Sequence, residues 1–225
     1  MDFEYYFKRQ IELWGETTQL ALQAKRIAII GCGGLGSSLA FALGTSGIGT
    51  MDVVDFDTVS AHNIHRQIAF SLADEGKPKA EVVAETIRAK SPFVTVTPYV
   101  MDFETFKALD NAYDLILDAT DNLPVREQID RWAKARRIPW LYGSVEAFNG
   151  QVCLFDRASF KVFTVTDRKP AGIAAPIVMQ IAAFQANLAL RFLTSLPVER
   201  DKLYYLYFDE SGEWITQKFG MPVES

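Results

Sequence analysis

The sequence predicts an α/β fold in which a mostly parallel sheet continues into a mixed or antiparallel C-terminal part. A β-branched run at 26–30 is followed by a glycine-rich turn and a helical segment. Strand-like and helix-like segments then alternate as far as residue 142, and two aromatic-rich runs follow near the end of the chain. Alternation of strands and helices favours a parallel sheet, because crossover helices connect its strands.

The elements of the parallel part follow from residue type and periodicity. Apolar residues recur at helical spacing over 77–90, and Pro92 ends that helix. The predicted strands are 26–30, 50–54, 94–99, 115–118 and 139–142, and the predicted helices extend from the glycine turn to 45, over 77–90 and over 123–137. The charge-rich stretch 125–137 is typical of a solvated helix face.

The C-terminal part has a different pattern. Residues 150–155 and 160–166 are predicted to be neighbouring strands joined by a turn near Asp156 and Arg157. A long helix is expected over 174–194, followed by a hairpin of 203–208 and 214–217 around Gly212. Because no Pro/Gly/Ser-rich linker separates the two parts, we interpret residues 1–225 as one domain.

Composition excludes several classes of protein. The chain is 49% hydrophobic and 23% charged, which is typical of a globular protein and not of a disordered or collagen-like one. A net charge of -5 argues against a dedicated nucleic-acid binder, so we expect no nucleic-acid partner. The apolar stretch 173–190 contains Pro176, Gln180, Gln185 and Asn187, which favours a buried helix over a membrane span.

The two cysteines and the N-terminus bear on location. Cys32 and Cys153 are too few for a disulfide framework or a four-cysteine zinc site, which favours a reducing compartment. The N-terminal residues 1–4 are acidic and lack the apolar core of a secretory signal. We therefore expect a cytoplasmic protein without a membrane partner.

The glycine turn indicates a nucleotide. Gly31, Gly33 and Gly36 satisfy G-x-G-x-x-G after a strand and at the start of a helix, which is the Rossmann-like arrangement for binding phosphate. Asp55 closes the next strand, where an acid can accept hydrogen bonds from both ribose hydroxyls. The motif identifies an adenosine-type nucleotide and leaves NAD and ATP as alternatives.

Three polar residues beyond Asp55 favour ATP. Arg66 follows in the next loop and Lys79 stands at a helix start, so both can offer a cation to phosphates. Asp121 lies past the carboxyl end of the fourth predicted strand, where open α/β sheets bind ligands. A carboxylate there is suited to hold Mg²⁺ on phosphates.

At these positions the sequence resembles the ThiF/MoeB/HesA family, relatives of the ubiquitin-activating enzymes, and is closest to a ThiF-like sulfur-carrier adenylyltransferase. The resemblance rests on five segments in a fixed order, which together span residues 6 to about 186: 6–10, 31–36, 55–67, 118–122 and, more weakly, 175–176 with 185–186. It implies adenylylation of the C-terminal Gly-Gly carboxylate of a ubiquitin-like carrier by Mg-ATP. The carrier would be ThiS-like, in thiamine biosynthesis, or MoaD-like, in molybdopterin biosynthesis.

The resemblance also implies roles for individual residues. Asp55 corresponds to the ribose ligand and Asp121 to the Mg²⁺ carboxylate, and Arg9 resembles the arginine that a homodimer lends to its neighbour's ATP. The catalytic set implied is Arg9, Asn63, Arg66, Lys79 and Asp121. The ATP-binding set implied is Gly31, Gly33, Gly34, Gly36, Asp55, Asp57, Asn63, Arg66, Gln67, Lys79, Asp121 and Asn122.

The sequence departs from the family at its cysteines. Many members bind a structural zinc ion through two C-x-x-C pairs, and this chain has none, so no structural zinc is expected. The stretch 166–172, where a thioester cysteine would stand, contains no cysteine. Cys32 and Cys153 are interpreted as packing residues, so we expect adenylylation without a covalent thioester.

Other functions remain as alternatives. A tRNA-modifying dehydratase of the same superfamily would activate a carboxylate on a tRNA base, and the acidic composition argues against it. A binding subunit without activity has no reason to keep the full set of Arg9, Asp55, Asn63, Arg66, Lys79 and Asp121. An NAD-dependent oxidoreductase leaves Arg66, Lys79 and Asp121 unexplained. His62 and His65 flank Asn63, and two histidines alone seldom form a metal site.

Overall fold

Eight strands join one sheet in the computed structural model, which describes residues 1–163 and 171–223. The strands are β1 (Arg26–Ile30), β2 (Thr50–Val54), β3 (Thr95–Tyr99), β4 (Leu115–Asp118), β5 (Trp140–Glu146), β6 (Asn149–Phe155), β7 (Lys202–Phe208) and β8 (Trp214–Gly220). The helices are α1 (Phe3–Tyr6), α2 (Lys8–Trp14), α3 (Glu16–Leu22), α4 (Gly34–Gly44), α5 (Lys79–Lys90), α6 (Phe103–Lys107), α7 (Leu123–Arg136) and α8 (Ala175–Leu193).

The sheet has a parallel part and an antiparallel part. Its strand order is β3-β2-β1-β4-β5-β6-β7-β8. The first five strands of that order pair in parallel, and β5 to β8 pair antiparallel. This confirms the predicted fold class. Since β1 lies between β2 and β4, the chain reverses its direction of winding between β1 and β4.

Helices cover both faces of the parallel part. Ile27 and Ile29 of β1 pack with Leu39 of α4 and Ile87 of α5 in one buried cluster. Ala28 of β1 packs in a second cluster on the other face, which also includes residues of α6 and α7. Burial on both faces explains why residues 27–30 of β1 form an unbroken apolar run.

The long apolar helix α8 is a core element. By length and composition, α8 is the one helix among the described residues that could cross a membrane. Half of its most apolar 18-residue segment is buried inside the protein. It packs against α4, β5 and β6, and Ile177, Val178 and Ile181 are buried there. It therefore fits the buried helix predicted from its polar residues.

Three short helices, α1 to α3, precede the sheet in a region for which the sequence made no prediction. Phe7 is buried and its ring centroid lies 5.3 Å from that of Phe93. Gln19 is also buried, and its Nε2 donates to the carbonyl of Ser46 at 3.0 Å. These contacts fix the N-terminal segment against the turn that follows α4 and the loop that follows α5.

The strand predicted at 160–166 is wrong over 160–162, the part that the structure tests. Residues Phe160–Val162 form a 3-10 helix, and 164–166 lie outside the described residues. The backbone N–H of Phe160 donates to the buried carboxylate of Asp130, 3.2 Å away, instead of to a neighbouring strand. The partner of β6 is β5, joined to it by a tight turn at Ala147 and Phe148.

Candidate functional site

The predicted nucleotide residues gather at the carboxyl ends of β1, β2 and β4. The glycine turn follows β1, with the N–H of Gly31 donating to the carbonyl of Val54 at the end of β2. The N–H of Ala119, after β4, donates to the carbonyl of Ile30. This is the point where the strand order reverses, which is where open α/β sheets bind ligands.

The glycines of the turn meet different requirements. Gly31 has φ +94°, and a Cβ on it would lie 2.8 Å from the carbonyl oxygen of Ala119. A Cβ on Gly36 would lie 1.8 Å from the carbonyl oxygen of Gly31, and one on Gly34 would lie 2.7 Å from Cγ1 of Val178. At Gly33, in contrast, the nearest atom would be 3.5 Å away, an ordinary contact. Packing therefore requires three of the glycines, and at Gly33, at the N-terminus of α4, a methyl group would fit beside the Gln67 side chain.

Asp55 connects β2 to the glycine turn. Its Oδ2 accepts the backbone N–H of Cys32 at 2.6 Å, and its Oδ1 accepts the backbone N–H of Asp57 at 2.8 Å. Burial raises the pKa of the Asp55 carboxyl above its ordinary value, and these two hydrogen bonds oppose the shift only in part. The carboxylate is thus fixed beside the turn, where it can accept hydrogen bonds from a ribose.

Asp57 and Lys79 form an ion pair at the start of α5. The Lys79 Nζ lies 2.9 Å from Oδ2 of Asp57, with the lysine side chain 6% exposed and the aspartate 53% exposed. The backbone N–H of Lys79 also donates to the carbonyl of Asp57. The two residues are 22 positions apart in the sequence, and the loop between β2 and α5 brings them together. A buried ammonium group is therefore held at one side of the site.

Asn63 and Arg66 interact directly in the same loop. One guanidinium nitrogen of Arg66 donates to Oδ1 of Asn63 at 3.1 Å, and another lies 2.9 Å from Nε2 of His65. Gln67 is buried beside Gly33, and its Oε1 has no hydrogen-bond partner among the described residues. The loop thus presents a forked cation and a buried amide near the glycine turn.

Asp121 and Asn122 follow β4 on the other side of the turn. Asn122 caps α7, since its Oδ1 accepts the backbone N–H of Val125 at 3.2 Å. Asp121 is exposed. The described residues contain no group of three or more His, Cys, Asp or Glu side chains that could hold a metal ion. A Mg²⁺ ion carried by nucleotide phosphates takes one or two carboxylates, and the exposed Asp121 is chemically suited to that ion.

Arg9 lies apart from these residues within one chain. It stands in α2 with its side chain 91% exposed, and its guanidinium pairs with Glu12 of the same helix at 2.9 Å. Across the described ranges the structure records no contact between Arg9 and the other predicted site residues. Within one chain Arg9 therefore stands on an element that contributes no other predicted site residue, whereas Asp121 and Asn122 directly follow the loop that packs on Gly31.

Two buried charged residues of α7 were not predicted from the sequence, and one of them, Arg126, contacts the loop that carries Asp121. Arg126 and Asp130 are buried, so the expectation of a solvated face over 125–137 is wrong for both. The Arg126 Nε donates to Oδ2 of the buried Asp118 at 3.1 Å, directly behind Asp121. A usable signal was present, because Arg126 shares helical spacing with the buried Ile129 and Ala133.

Both cysteines are buried and free. Burial raises the pKa of the Cys32 thiol well above its ordinary value, and it raises that of Cys153 as well. Raised thiol pKa values disfavour the thiolate, which is the nucleophilic form. The cysteines therefore have the environment of packing residues.

Known proteins resemble this chain in sequence and in structure. A family model described as the ThiF family matches residues 7–219, a range that includes every residue placed at this site. Molybdopterin-synthase adenylyltransferase of Escherichia coli K12 is 32% identical over 209 residues, covering 83% of this chain and 81% of that protein. Sulfur carrier protein adenylyltransferase of Thermus thermophilus is 34% identical over 143 residues, covering 63% of this chain and 53% of that protein. Escherichia coli MccB in complex with MccA-N7isoAsn has the same fold, with a TM-score of 0.85 at 19% identity over 99% of this chain and 73% of that chain.

Proposed function

The chain belongs to the ThiF family and is an adenylyltransferase, and we propose that it adenylylates the C-terminal Gly-Gly carboxylate of a ubiquitin-like sulfur carrier with Mg-ATP. One observation carries the proposal: the glycine turn, the Asp55 carboxylate and the cations of Arg66 and Lys79 converge at one edge of the sheet. That set offers an acceptor for ribose and positive charge for phosphates. A hydride-transferring enzyme would leave both cations without a role.

The chemistry needs position and charge. An oxygen of the carrier carboxylate attacks the α-phosphorus and forms an O–P bond. The bond between the α-phosphorus and the oxygen that bridges to the β-phosphorus breaks, which releases pyrophosphate. The nucleophile is already ionised, so no general base is required. In this proposal Asp55 orients the ribose, while Arg66 and Lys79 stabilise the charge that develops on the phosphate oxygens. Mg²⁺ on the phosphates, held by Asp121, would neutralise part of that charge.

The proposal also concerns which carrier protein is the substrate. The Escherichia coli relative is named for molybdopterin synthase, which supports a MoaD-like carrier, and the Thermus relative is named only for a sulfur carrier. A ThiS-like carrier is the other member of the same class. We treat residues 1–225 as one domain that performs this reaction. We expect it in the cytoplasm, which two free buried cysteines fit.

The reaction is proposed to stop at the adenylate, with no thioester on this enzyme. Cys32 and Cys153 are both buried, with thiol pKa values raised by burial. In the Cys32→Ala/Cys153→Ala variant we expect adenylate formation to continue, with no reductant-sensitive adduct in either protein. A carrier adduct on the wild type that dithiothreitol removes, and that the variant lacks, would contradict this part.

A homodimer is proposed because Arg9 lies away from the rest of its own site. Tyr5, Arg9 and Leu13 recur every four residues and are all exposed, which gives α1 and α2 an apolar stripe around the cation. Mixing Arg9→Ala and Asp121→Ala subunits should restore activity, because mixed dimers contain one site with both residues. No recovery on mixing, despite proven exchange of subunits, would contradict the shared site.

ATP–pyrophosphate exchange with a panel of carriers ending in Gly-Gly tests the main proposal. We expect exchange that depends on one carrier and is lost in Asp121→Ala. The exposed Arg131→Ala serves as a control that should keep the wild-type rate. No exchange with any carrier, despite Mg-ATP binding and together with salt-sensitive tRNA binding, would favour the dehydratase alternative, and absence of ATP binding would exclude the proposal.

A further inference from the structure

Arg126 lies at the centre of a buried polar network behind the candidate site. Its side chain is 6% exposed, and Asp118 is fully buried. The guanidinium donates to Oδ2 of Asp118, to the carbonyl of Thr120 and to the carbonyl of Gly143, 3.2 Å away in β5. It also lies over the ring of Tyr142, with its carbon 5.1 Å from the ring centroid. One side chain thus joins α7, β5 and the loop that follows β4.

The same loop is fixed by further contacts. Oδ1 of Asp118 accepts both the N–H and the hydroxyl of Thr120, at 2.9 and 2.7 Å. Gln185 of α8 is fully buried, and its Nε2 donates to the carbonyl of Asp118 at 3.1 Å. Burial raises the pKa of the Asp118 carboxyl, and the adjacent Arg126 guanidinium opposes that shift. The charged pair is therefore hydrogen-bonded on both sides, as a stable buried pair requires.

Asp121 stands between two residues that this network holds. Thr120 is bound by Arg126 and Asp118, and Asn122 is fixed as the cap of α7. In the described ranges the Asp121 carboxylate itself has no hydrogen-bond or ion-pair partner. Its direction therefore depends on the backbone on either side, and Arg126 bonds to that backbone one residue away.

We propose that Arg126 is a positioning residue for the nucleotide-bound Mg²⁺: it holds the 118–122 loop so that Asp121 can bind the ion. The inference rests on the proposed function, in which Asp121 is the metal carboxylate. Groups that orient a metal ligand from behind typically contribute about 10–100-fold in metal affinity or activity. Since Arg126 does not touch the ion, its effect should be confined to the part of nucleotide affinity that depends on Mg²⁺.

Calorimetric titration of the full chain with ATP, once with Mg²⁺ and once with EDTA, isolates the part of the ATP affinity that depends on Mg²⁺. For Arg126→Lys we expect the ratio of the two affinities to fall about tenfold or more, while the affinity in EDTA stays near that of the wild type. Arg136→Gln is the matched control, because Arg136 lies on the same helix, pairs with Asp110 at 2.6 Å and stacks over Trp132, yet stands away from the loop. It should leave the ratio unchanged.

A double-mutant cycle with Asp121→Asn tests the route of the effect. If Arg126 acts through Asp121, Arg126→Lys should change the ratio no further in the Asp121→Asn background. A parallel fall of both affinities in Arg126→Lys, or an unchanged ratio, would overturn the inference and leave the proposed function intact. A wild type that binds ATP equally well with and without Mg²⁺ would overturn the metal role of Asp121 along with it.

A second variant covers the case in which Arg126→Lys fails to fold. Asp118→Asn/Arg126→Gln removes both charges together, so no unpaired charge remains buried. It also removes the reach of the guanidinium to the carbonyls of Thr120 and Gly143. We expect the same selective loss of the Mg²⁺-dependent affinity, and an unchanged ratio in this variant would overturn the inference equally.

Discussion

The Lys79 Nζ lies 2.9 Å from Oδ2 of Asp57, in a pair whose lysine is 6% exposed and whose aspartate is 53% exposed. The two partners therefore experience different surroundings. A buried ammonium group needs a negative partner, because removal of charge from water is costly. Asp57 supplies that partner in the free protein, and phosphate oxygens of a bound nucleotide could supply it in the complex.

Asp57→Ala should destabilise the free protein more than the nucleotide-bound protein. We expect a loss of about 1–2 kcal/mol without ligand, less than for a fully buried pair because Asp57 is half exposed. Saturating Mg-ATP should recover most of it. Thermal unfolding with and without Mg-ATP measures both values, and Glu104→Ala, at the exposed Lys107–Glu104 pair, should change either by less than about 0.5 kcal/mol. Equal losses with and without nucleotide would contradict the assignment of Lys79 to phosphate.

Gly33 and Gly36 should respond differently to alanine. Gly36→Ala places a Cβ 1.8 Å from a backbone oxygen, so the turn must shift, and we expect a loss of roughly 2–4 kcal/mol. Gly33→Ala makes only an ordinary contact at 3.5 Å, so stability should stay near the wild type while ATP affinity falls, because the methyl group occupies the space over the helix N-terminus. Thermal unfolding and ATP titration of both variants check this. Wild-type ATP affinity in Gly33→Ala would contradict it.

Arg66→Ala should reduce catalysis without unfolding the protein. The side chain is half-buried in a loop, and its recorded partners are Asn63 and His65, so little packing is lost. Removal of one donor that stabilises transition-state charge typically costs about 10²–10³-fold in rate, which is the loss we expect in ATP–pyrophosphate exchange. Arg66→Lys should recover only part of the rate, since an ammonium group lacks the planar fork. Wild-type exchange in Arg66→Ala would show that Arg66 has another role.

The sequence predicted the parallel part of the fold because its signals are local. The predicted ranges of β1 and β2 match the structure, since β-branched runs end at Gly31 and at Asp55. The strand prediction failed at 160–162 because Phe160 is a buried aromatic residue of a 3-10 helix and not of a strand. Its ring lies 5.7 Å from that of Trp140 and its N–H is bound by Asp130, both distant in sequence.

Some residues of the candidate site could likewise be predicted from local sequence, and others could not. The glycine turn, Asp55 and Arg66 are readable because each belongs to a short motif beside a strand end. Arg126 was assigned to a solvated helix face, because a charged residue is rarely buried unless it is paired. Its partner Asp118 is eight residues away and is itself a strand residue, so only the packing of α7 on β4 brings the two charges together.

Asp55 should make ATP affinity depend on pH in a distinctive way. Burial raises the pKa of its carboxyl, and the ionised form is the better acceptor of hydrogen bonds from ribose hydroxyls. As pH falls through this raised pKa, the carboxyl gains a proton and ATP affinity should decline, starting at a higher pH than an exposed aspartate would cause. Titration with ATP between about pH 7 and pH 4 measures this decline.

The stability of the free protein should respond to Asp55 with the opposite sign. A carboxyl with a raised pKa in the folded state binds its proton more tightly there than in the unfolded chain. Its contribution to stability is therefore present at low pH and lost as pH rises through the folded-state pKa. Asp55→Asn should remove this contribution to stability. It should also weaken ATP binding at pH 7 by about tenfold or more, which is about 1.4 kcal/mol. The ATP affinity of this variant should retain only the pH dependence that ATP's own phosphates cause. If Asp55→Asn keeps the full pH dependence of the wild type, the titrating group is not Asp55, and the ribose assignment loses its main support.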